Sequence, residues 1–330
     1  MKCFNKIMLL SLFSFSFLSC NFQNQKPVTL VMAEVNPANT VAGKMDAAFK
    51  EKVEELSKGK IKIHLQYSGI LGDEPQIMKL IVDPDSSIHL ARVSASLVNY
   101  GDKQSKLLTI PFTFEDDEHF WKFASSELAE EFLDEPYKKG LGVKGLFYAE
   151  EGFRHFFSTT RINTLDDLKN KKIRSSNAKV LQDLVESLNA EPVVVPFTDL
   201  YAALLTGKVD VAEQPVTNYL SNSFNDVAPY MILDGHMLGA VQVVINSKIW
   251  DSLSKKQQEI LKEAGKYASN YCKTIVENEN KLALETLKKQ GVVITEISDK
   301  TPWKTACKKM ITESSQDFPE LYQKILDLNK

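Results

Sequence analysis

Apolar residues along the chain switch between a spacing of two and a spacing of three to four, and the switches lay out a repeating strand–helix order. Residues 28–32 form an apolar run of strand length. Over 43–57, Met45, Phe49, Val53 and Leu56 recur on one helical face, and over 60–66 the alternation of Ile61, Ile63 and Leu65 predicts a second strand. That is one βαβ unit. After Leu71-Gly72-Asp73 a short helix carries Ile77, Leu80 and Ile81, and 88–91 returns as a strand. Ile110-Pro111-Phe112 marks an irregular apolar crossing; a helix over 118–133 and a strand over 143–148 complete a first half.

The second half opens with a strand at 153–157 and a Thr164–Asp167 capping box, Asp standing for the usual Glu. Its most informative stretch is 171–215. Lys172-Ile173-Arg174 closes a short strand, Ser175-Ser176-Asn177 is a polar turn, and Val180, Leu181, Leu184 and Leu188 make one helix face. Val193-Val194-Val195 is the next strand. Pro196-Phe197-Thr198-Asp199 then leads into a helix stopped by Gly207, and Val209-Asp210-Val211 is a strand ending at Glu213-Gln214-Pro215. Open α/β sheets bind ligands at the carboxyl ends of their strands, which is where Arg174, Phe197 and Gln214 fall.

A proline-free helical pattern runs from Lys255 to Gln290, opened by a Ser254–Gln257 capping box and stopped by Gly291. About 36 residues at 1.5 Å each reach on the order of 54 Å, enough to bridge both halves. Two helices broken near Asn278 or Asn280 satisfy the same pattern.

Composition narrows the setting. Lys2 and Lys6 precede an apolar run over 7–18, too short to span a bilayer and suited to a secretory signal. The run closes on Phe17-Leu18-Ser19-Cys20, and the polar stretch 21–26 follows as a tether would. This resembles a bacterial lipoprotein signal, with cleavage before Cys20 and lipid on that residue; Phe17 stands where Leu is usual. Loss of Lys2 and Lys6 with no acid takes the formal charge from -3 to -5, and the mixed charges leave no basic footprint for nucleic acid. Of the cysteines, Cys272 and Cys307 remain for the folded part, as two buried thiols or as a disulfide. His64, His89, His119, His155 and His236 show no metal-binding spacing, and neither a nucleophile-elbow nor a phosphate-loop motif occurs.

Several short motifs coincide in order: Gly59-Lys60-Ile61, Ile70-Leu71-Gly72-Asp73-Glu74, Ile110-Pro111-Phe112-Thr113-Phe114, Lys172-Ile173-Arg174, Phe197-Thr198-Asp199-Leu200-Tyr201-Ala202-Ala203-Leu204, and Gly207-Lys208-Val209-Asp210 with Glu213-Gln214-Pro215. Together they resemble the extracytoplasmic solute-binding subunit of tripartite ATP-independent periplasmic (TRAP) transporters, the DctP family. The resemblance covers essentially the whole mature length. It implies an α/β, two-lobed, periplasmic-binding-protein-like (type II) fold with discontinuous lobes, hinge strands and one long lobe-spanning helix. The expected division is signal 1–19, tether 20–26, first lobe 27–151 plus 240–279, and second lobe 152–239 plus 280–330. The implied function is capture of a small organic carboxylate between the lobes and delivery to a membrane permease, by a periplasmic protein held to a bacterial membrane through lipid on Cys20. No cofactor or metal is implied.

The resemblance makes Arg174 the ligand-carboxylate arginine and Arg154 a second basic group beside it, with Gln214, Phe197, Arg92 and Glu74 as further ligand-binding candidates. A guanidinium presents a planar fork that takes a carboxylate through two parallel hydrogen bonds. Gln214 stands where sialate-binding members carry Asn, and Arg92 stands where they carry Glu, a reversal of charge that argues against an amine or polyol ligand. With Phe112, Phe114, Phe153 and Phe197 as candidate lining, a less polar pocket suited to an apolar carboxylate is expected. The competing arrangement has Arg92 in solvent and the phenylalanines in the core. The expectation is a binding protein and not an enzyme; the alternatives are a lipid-anchored surface adhesin or scaffold reusing the fold, favoured by a filled cleft or internally paired arginines, and a periplasmic enzyme, which the missing catalytic motifs disfavour.

Overall fold

The structure is a computed structural model that describes residues 27–330; the expected signal, tether and Cys20 lie outside the described residues. The first βαβ unit is β1 (Val28–Ala33), α1 (Val41–Leu56) and β2 (Ile61–Gln66). β1 and β2 are parallel, with Val28 opposite Ile61, while α1 buries Met45, Phe49 and Val53. Thr40 caps α1 by accepting from the Gly43 amide at 3.0 Å, satisfying one of the donors a helix start leaves free. α2 (Glu74–Ile81) starts with a capping box between Asp73 and Gln76, which places Glu74 as its first residue, and β3 (Leu90–Ser94) follows.

The helix expected over 118–133 is two: α3 (Asp117–Ala124) and α4 (Glu127–Lys138). Ser126 breaks the run because its hydroxyl accepts from the Ala129 amide at 3.2 Å and so starts a new helix. The two strands expected at 143–148 and 153–157 are one, β4 (Val143–Ser158). A register shift between Glu150 and Phe153 absorbs the break, with Gly152 at φ 90°. Gly152 also faces the long helix so closely that a Cβ would lie 2.2 Å from the Asn280 amide nitrogen.

The second half supplies β5 (Lys172–Ser175), α5 (Lys179–Ser187), β6 (Glu191–Val194), α6 (Leu200–Leu205), β7 (Val211–Pro215) and α7 (Val216–Ser221). β8 (Tyr230–Asn246) then runs back through both halves, followed by α8 (Ser247–Ser252). The sheet order is β2-β1-β3-β8-β4-β7-β5-β6. A parallel trio therefore flanks each side of the antiparallel pair β4–β8, and the two long strands cross between the halves within the sheet.

α9 (Lys255–Lys289) is one uninterrupted helix; Asn278 and Asn280 do not break it. It packs on α1 of the first half, on β4 and on α7 of the second. Bridging both halves at once gives it the buried face that its weak mean hydropathy alone would not secure. β9 (Val293–Glu296) pairs with the start of β8, α10 (Thr301–Ser315) lies on α5, and α11 (Pro319–Asp327) returns to the first half. There the Ile325 carbonyl sits 2.8 Å from His119 Nε2, and the Tyr322 hydroxyl lies 3.2 Å from that of Thr113. Cys272 and Cys307 are both buried free thiols.

Candidate functional site

Between the halves lies a cavity of about 250 Å³. Arg174, Arg154, Gln214, Phe197, Arg92 and Glu74 all line it, so residues up to 140 positions apart are gathered on one space. The mouth is bridged: Asn99 Nδ2 of the first half donates to the Asn177 carbonyl of the second at 3.0 Å.

On the second-half wall the three strand ends deliver the side chains that the topology predicts. Arg174, on β5, is only 6% exposed and donates Nε to the Val195 carbonyl at 2.9 Å. No carboxylate reaches it within ion-pair distance among the described residues, which leaves both Nη groups free at the cavity. Burial pulls its pKa down to about 10, with Arg154 adding to the fall while Glu213 and Glu74 oppose it. A desolvated cation without a counterion is an energetic cost that an arriving anion relieves.

Arg154, on β4, is held differently. Its Nε meets Glu213 Oε2 and its Nη2 reaches Glu213 Oε1 at 2.8 Å, a two-pronged pair. Burial works against both charges, but their mutual attraction wins: Arg154 is raised, and Glu213 is lowered to about 2. Behind Glu213 stands His236, fully buried, with Nδ1 2.6 Å from Asp234 Oδ2 and Nε2 3.7 Å from Glu213 Oε2. Burial disfavours its charge, yet Asp234 and Glu213 raise its pKa to about 9. Gln214 and Asn218 are both buried beside this chain, and Asn218 Oδ1 has no hydrogen-bond partner among the described residues.

The first-half wall corrects two expectations about Arg92. It is 4% exposed, so it does not face solvent, and its charge is not offered to the cavity unopposed. Its Nε donates to Glu34 Oε2 at 2.7 Å, its Nη2 meets Glu34 Oε1, and Glu151 Oε1 stands 3.9 Å from Nη1. Asn36 Nδ2 donates to Glu151 Oε1 at 3.0 Å. Behind Glu34 lies Asp46, whose pKa burial and the neighbouring Glu34 carboxylate push well above the usual range. Glu74 accepts the Ser94 amide at 2.9 Å through Oε2 and is raised by burial.

Of the four phenylalanines, only Phe197 lines the cavity, standing edge-on to Phe224 at 6.0 Å. Phe114 is core, and Phe112 and Phe153 pack against the core. Apolar surface comes instead from Val35, Val98, Leu181, Met237 and Leu238, between polar ends. The sequence reading missed Glu34, Glu151, Asp234 and His236 as site-supporting residues. Their signal was an ionisable group interrupting or ending an otherwise apolar strand, as in Ala33-Glu34-Val35 and Asp234-Gly235-His236-Met237.

Two lobes joined by crossing strands around a charged cleft define a ligand-binding protein. The chain belongs to family 7 of the bacterial extracellular solute-binding proteins, DctP, whose model matches residues 32–317. It is 26% identical over 270 residues to the C4-dicarboxylate-binding periplasmic protein DctP of Rhodobacter capsulatus, covering 81% of this chain and 79% of that one. It is 27% identical over 260 residues to the 2,3-diketo-L-gulonate-binding periplasmic protein YiaO of Escherichia coli, covering 76% of each. Among solved structures it resembles a TRAP periplasmic solute-binding protein of a Polaromonas species bound to D-erythronate, with TM-score 0.85, 25% identity, and coverage of 91% of this chain and 98% of that one. A Pseudomonas putida relative with bound D-glucuronate has TM-score 0.86 and 23% identity, covering 90% and 96%.

Proposed function

We propose that this protein captures a small organic carboxylate in the interlobe cavity and delivers it to the membrane permease of a TRAP transporter. The observation that carries the reading is Arg174: a buried guanidinium that lines the cavity and has no carboxylate partner among the described residues. The two similar proteins with bound ligands hold D-erythronate and D-glucuronate, both carboxylates, which supports the class. Arg154, fixed by Glu213, keeps Nη1 for the same carboxylate, and Gln214 and Phe197 complete that wall. The lobes are 27–151 plus 240–279 and 152–239 plus 280–330, with α11 strapped back across the first. Contacts to both walls favour the closed form, since a ligand shifts a two-state equilibrium by its differential affinity.

The adhesin or scaffold reading asks for a filled cleft or arginines that are all internally paired. Arg92 and Arg154 are paired, but Arg174 is not and the cavity is open space. Lipid on Cys20 as the membrane anchor remains part of the proposal. Native mass spectrometry of protein purified without refolding tests the central reading. A bound acid that is absent from Arg174→Ala protein is expected; a bound neutral molecule, or equal retention by the variant, would overturn it.

A further inference from the structure

The charges around the cavity do not cancel in pairs, and the remainder has a direction. Arg92 is matched by Glu34, Arg154 by Glu213, and His236 by Asp234. On the second-half wall this leaves one cation, Arg174, whose partner is the ligand carboxylate of the reading above. On the first-half wall it leaves Glu151 and Glu74. Among the described residues the Glu151 carboxylate accepts a hydrogen bond only from Asn36 Nδ2, and its approach to Arg92 is 3.9 Å. Among the described residues the Glu74 carboxylate accepts only from the Ser94 amide, which engages Oε2. Asn36 Oδ1, on a side chain that is 2% exposed, also lines this end and has no partner among the described residues. Acceptors therefore converge from just past β1, the start of α2 and the bulge of β4, and among the described residues no hydrogen bond reaches Glu74 Oε1, Glu151 Oε2 or Asn36 Oδ1. Between the two ends the lining is Val35, Val98, Leu181, Met237 and Leu238.

We propose that the ligand is zwitterionic, a carboxylate whose carbon skeleton carries an ammonium or similar cationic group toward Glu74, Glu151 and Asn36. The inference rests on Arg174 as the carboxylate site and adds the other end of the molecule. An ammonium presents three donors and a positive charge, and so answers two carboxylates and an amide oxygen together. A hydroxyl offers a single donor and no charge, so it answers two carboxylates less fully, which is costly for a side chain as buried as Glu151. The presence of Arg92 does not repel the cation, because Glu34 already occupies its fork.

Two measurements test this. The protein is titrated with straight-chain ω-amino acids of three to six carbons and with the ω-hydroxy acids of the same lengths. At the best-fitting length the amino acid is expected to bind roughly tenfold or more tightly, as a charge-assisted hydrogen bond outweighs a neutral one. Glu74→Gln should bring that ratio down toward one. Hydroxy acids that bind as tightly as amino acids at every length would overturn the proposal. The second measurement is the elemental composition of the co-purified ligand. A nitrogen-bearing acid of zero net charge supports it; a nitrogen-free acid overturns it while sustaining the carboxylate reading. A ligand without any carboxylate, unaffected by Arg174→Ala, would sink both.

Discussion

Arg174 and Arg92 are the same residue type, equally buried, on opposite walls of one cavity, yet they have opposite electrostatic situations. Arg92 sits in the fork of Glu34 with Glu151 nearby, whereas Arg174 has one carbonyl and, among the described residues, no acid within ion-pair distance. The difference lies in what surrounds the strand ends. On the first wall the polypeptide brings its own counterions; on the second it withholds one. An arginine whose partner is built in stabilises the lobe, and an arginine without a partner stores a binding demand.

The largest effect that can break this contrast is on folding. Arg92→Ala leaves Glu34 buried with only the Asn36 backbone amide donating to it, and should cost about 3–5 kcal/mol of stability, measured by denaturant unfolding. Arg174→Ala should lose carboxylate affinity by roughly 100-fold or more, yet keep apoprotein stability within about 1 kcal/mol, since the hydrogen bond it loses is offset by removal of a desolvated charge. If both variants unfold alike, the two arginines are not different in kind. Arg174→Lys should bind carboxylate poorly as well, because a point charge cannot reproduce the fork; calorimetry with the wild-type ligand reads this directly.

A smaller effect is set by pH. His236 has a folded pKa of about 9 against an ordinary 6.5. Its contribution to stability is fully present below about 6.5 and is lost as pH rises through about 9. His155, beside it, has its pKa lowered by burial to about 4, so its contribution is lost as pH falls from 6.5 through about 4. The unfolding midpoint should therefore decline on both sides of neutrality, and His236→Gln should flatten the alkaline decline. The smallest expected change is Gln214→Asn, a shortened amide on the same wall, with affinity altered by less than about tenfold.

Much of the scaffold could be read from residue order. The first βαβ unit and the capping boxes at Thr164 and Ser254 stand as expected, and the long helix takes the unbroken alternative, because these depend on neighbours within a few residues. Errors of segmentation came where a local signal had a distant cause. The join between 148 and 153 is made by pairing with β8 across a bulge, and the break at Ser126 by a hydroxyl choosing a cap over a continuing helix. In the site, Arg174, Arg154, Gln214, Phe197, Arg92 and Glu74 were nameable from motif positions, and all line the cavity. Their counterions were not, since Glu34 lies 58 positions from Arg92 and Glu213 lies 59 from Arg154.

By itself, then, the sequence determined the element order, the strand ends at which polar side chains gather, and the kind of chemistry an arginine there can do. Only the tertiary structure decided which arginine is free. Charge compensation depends on distance through a low-dielectric interior, and that distance is a property of the folded sheet. Hydrophobic period carries no record of it.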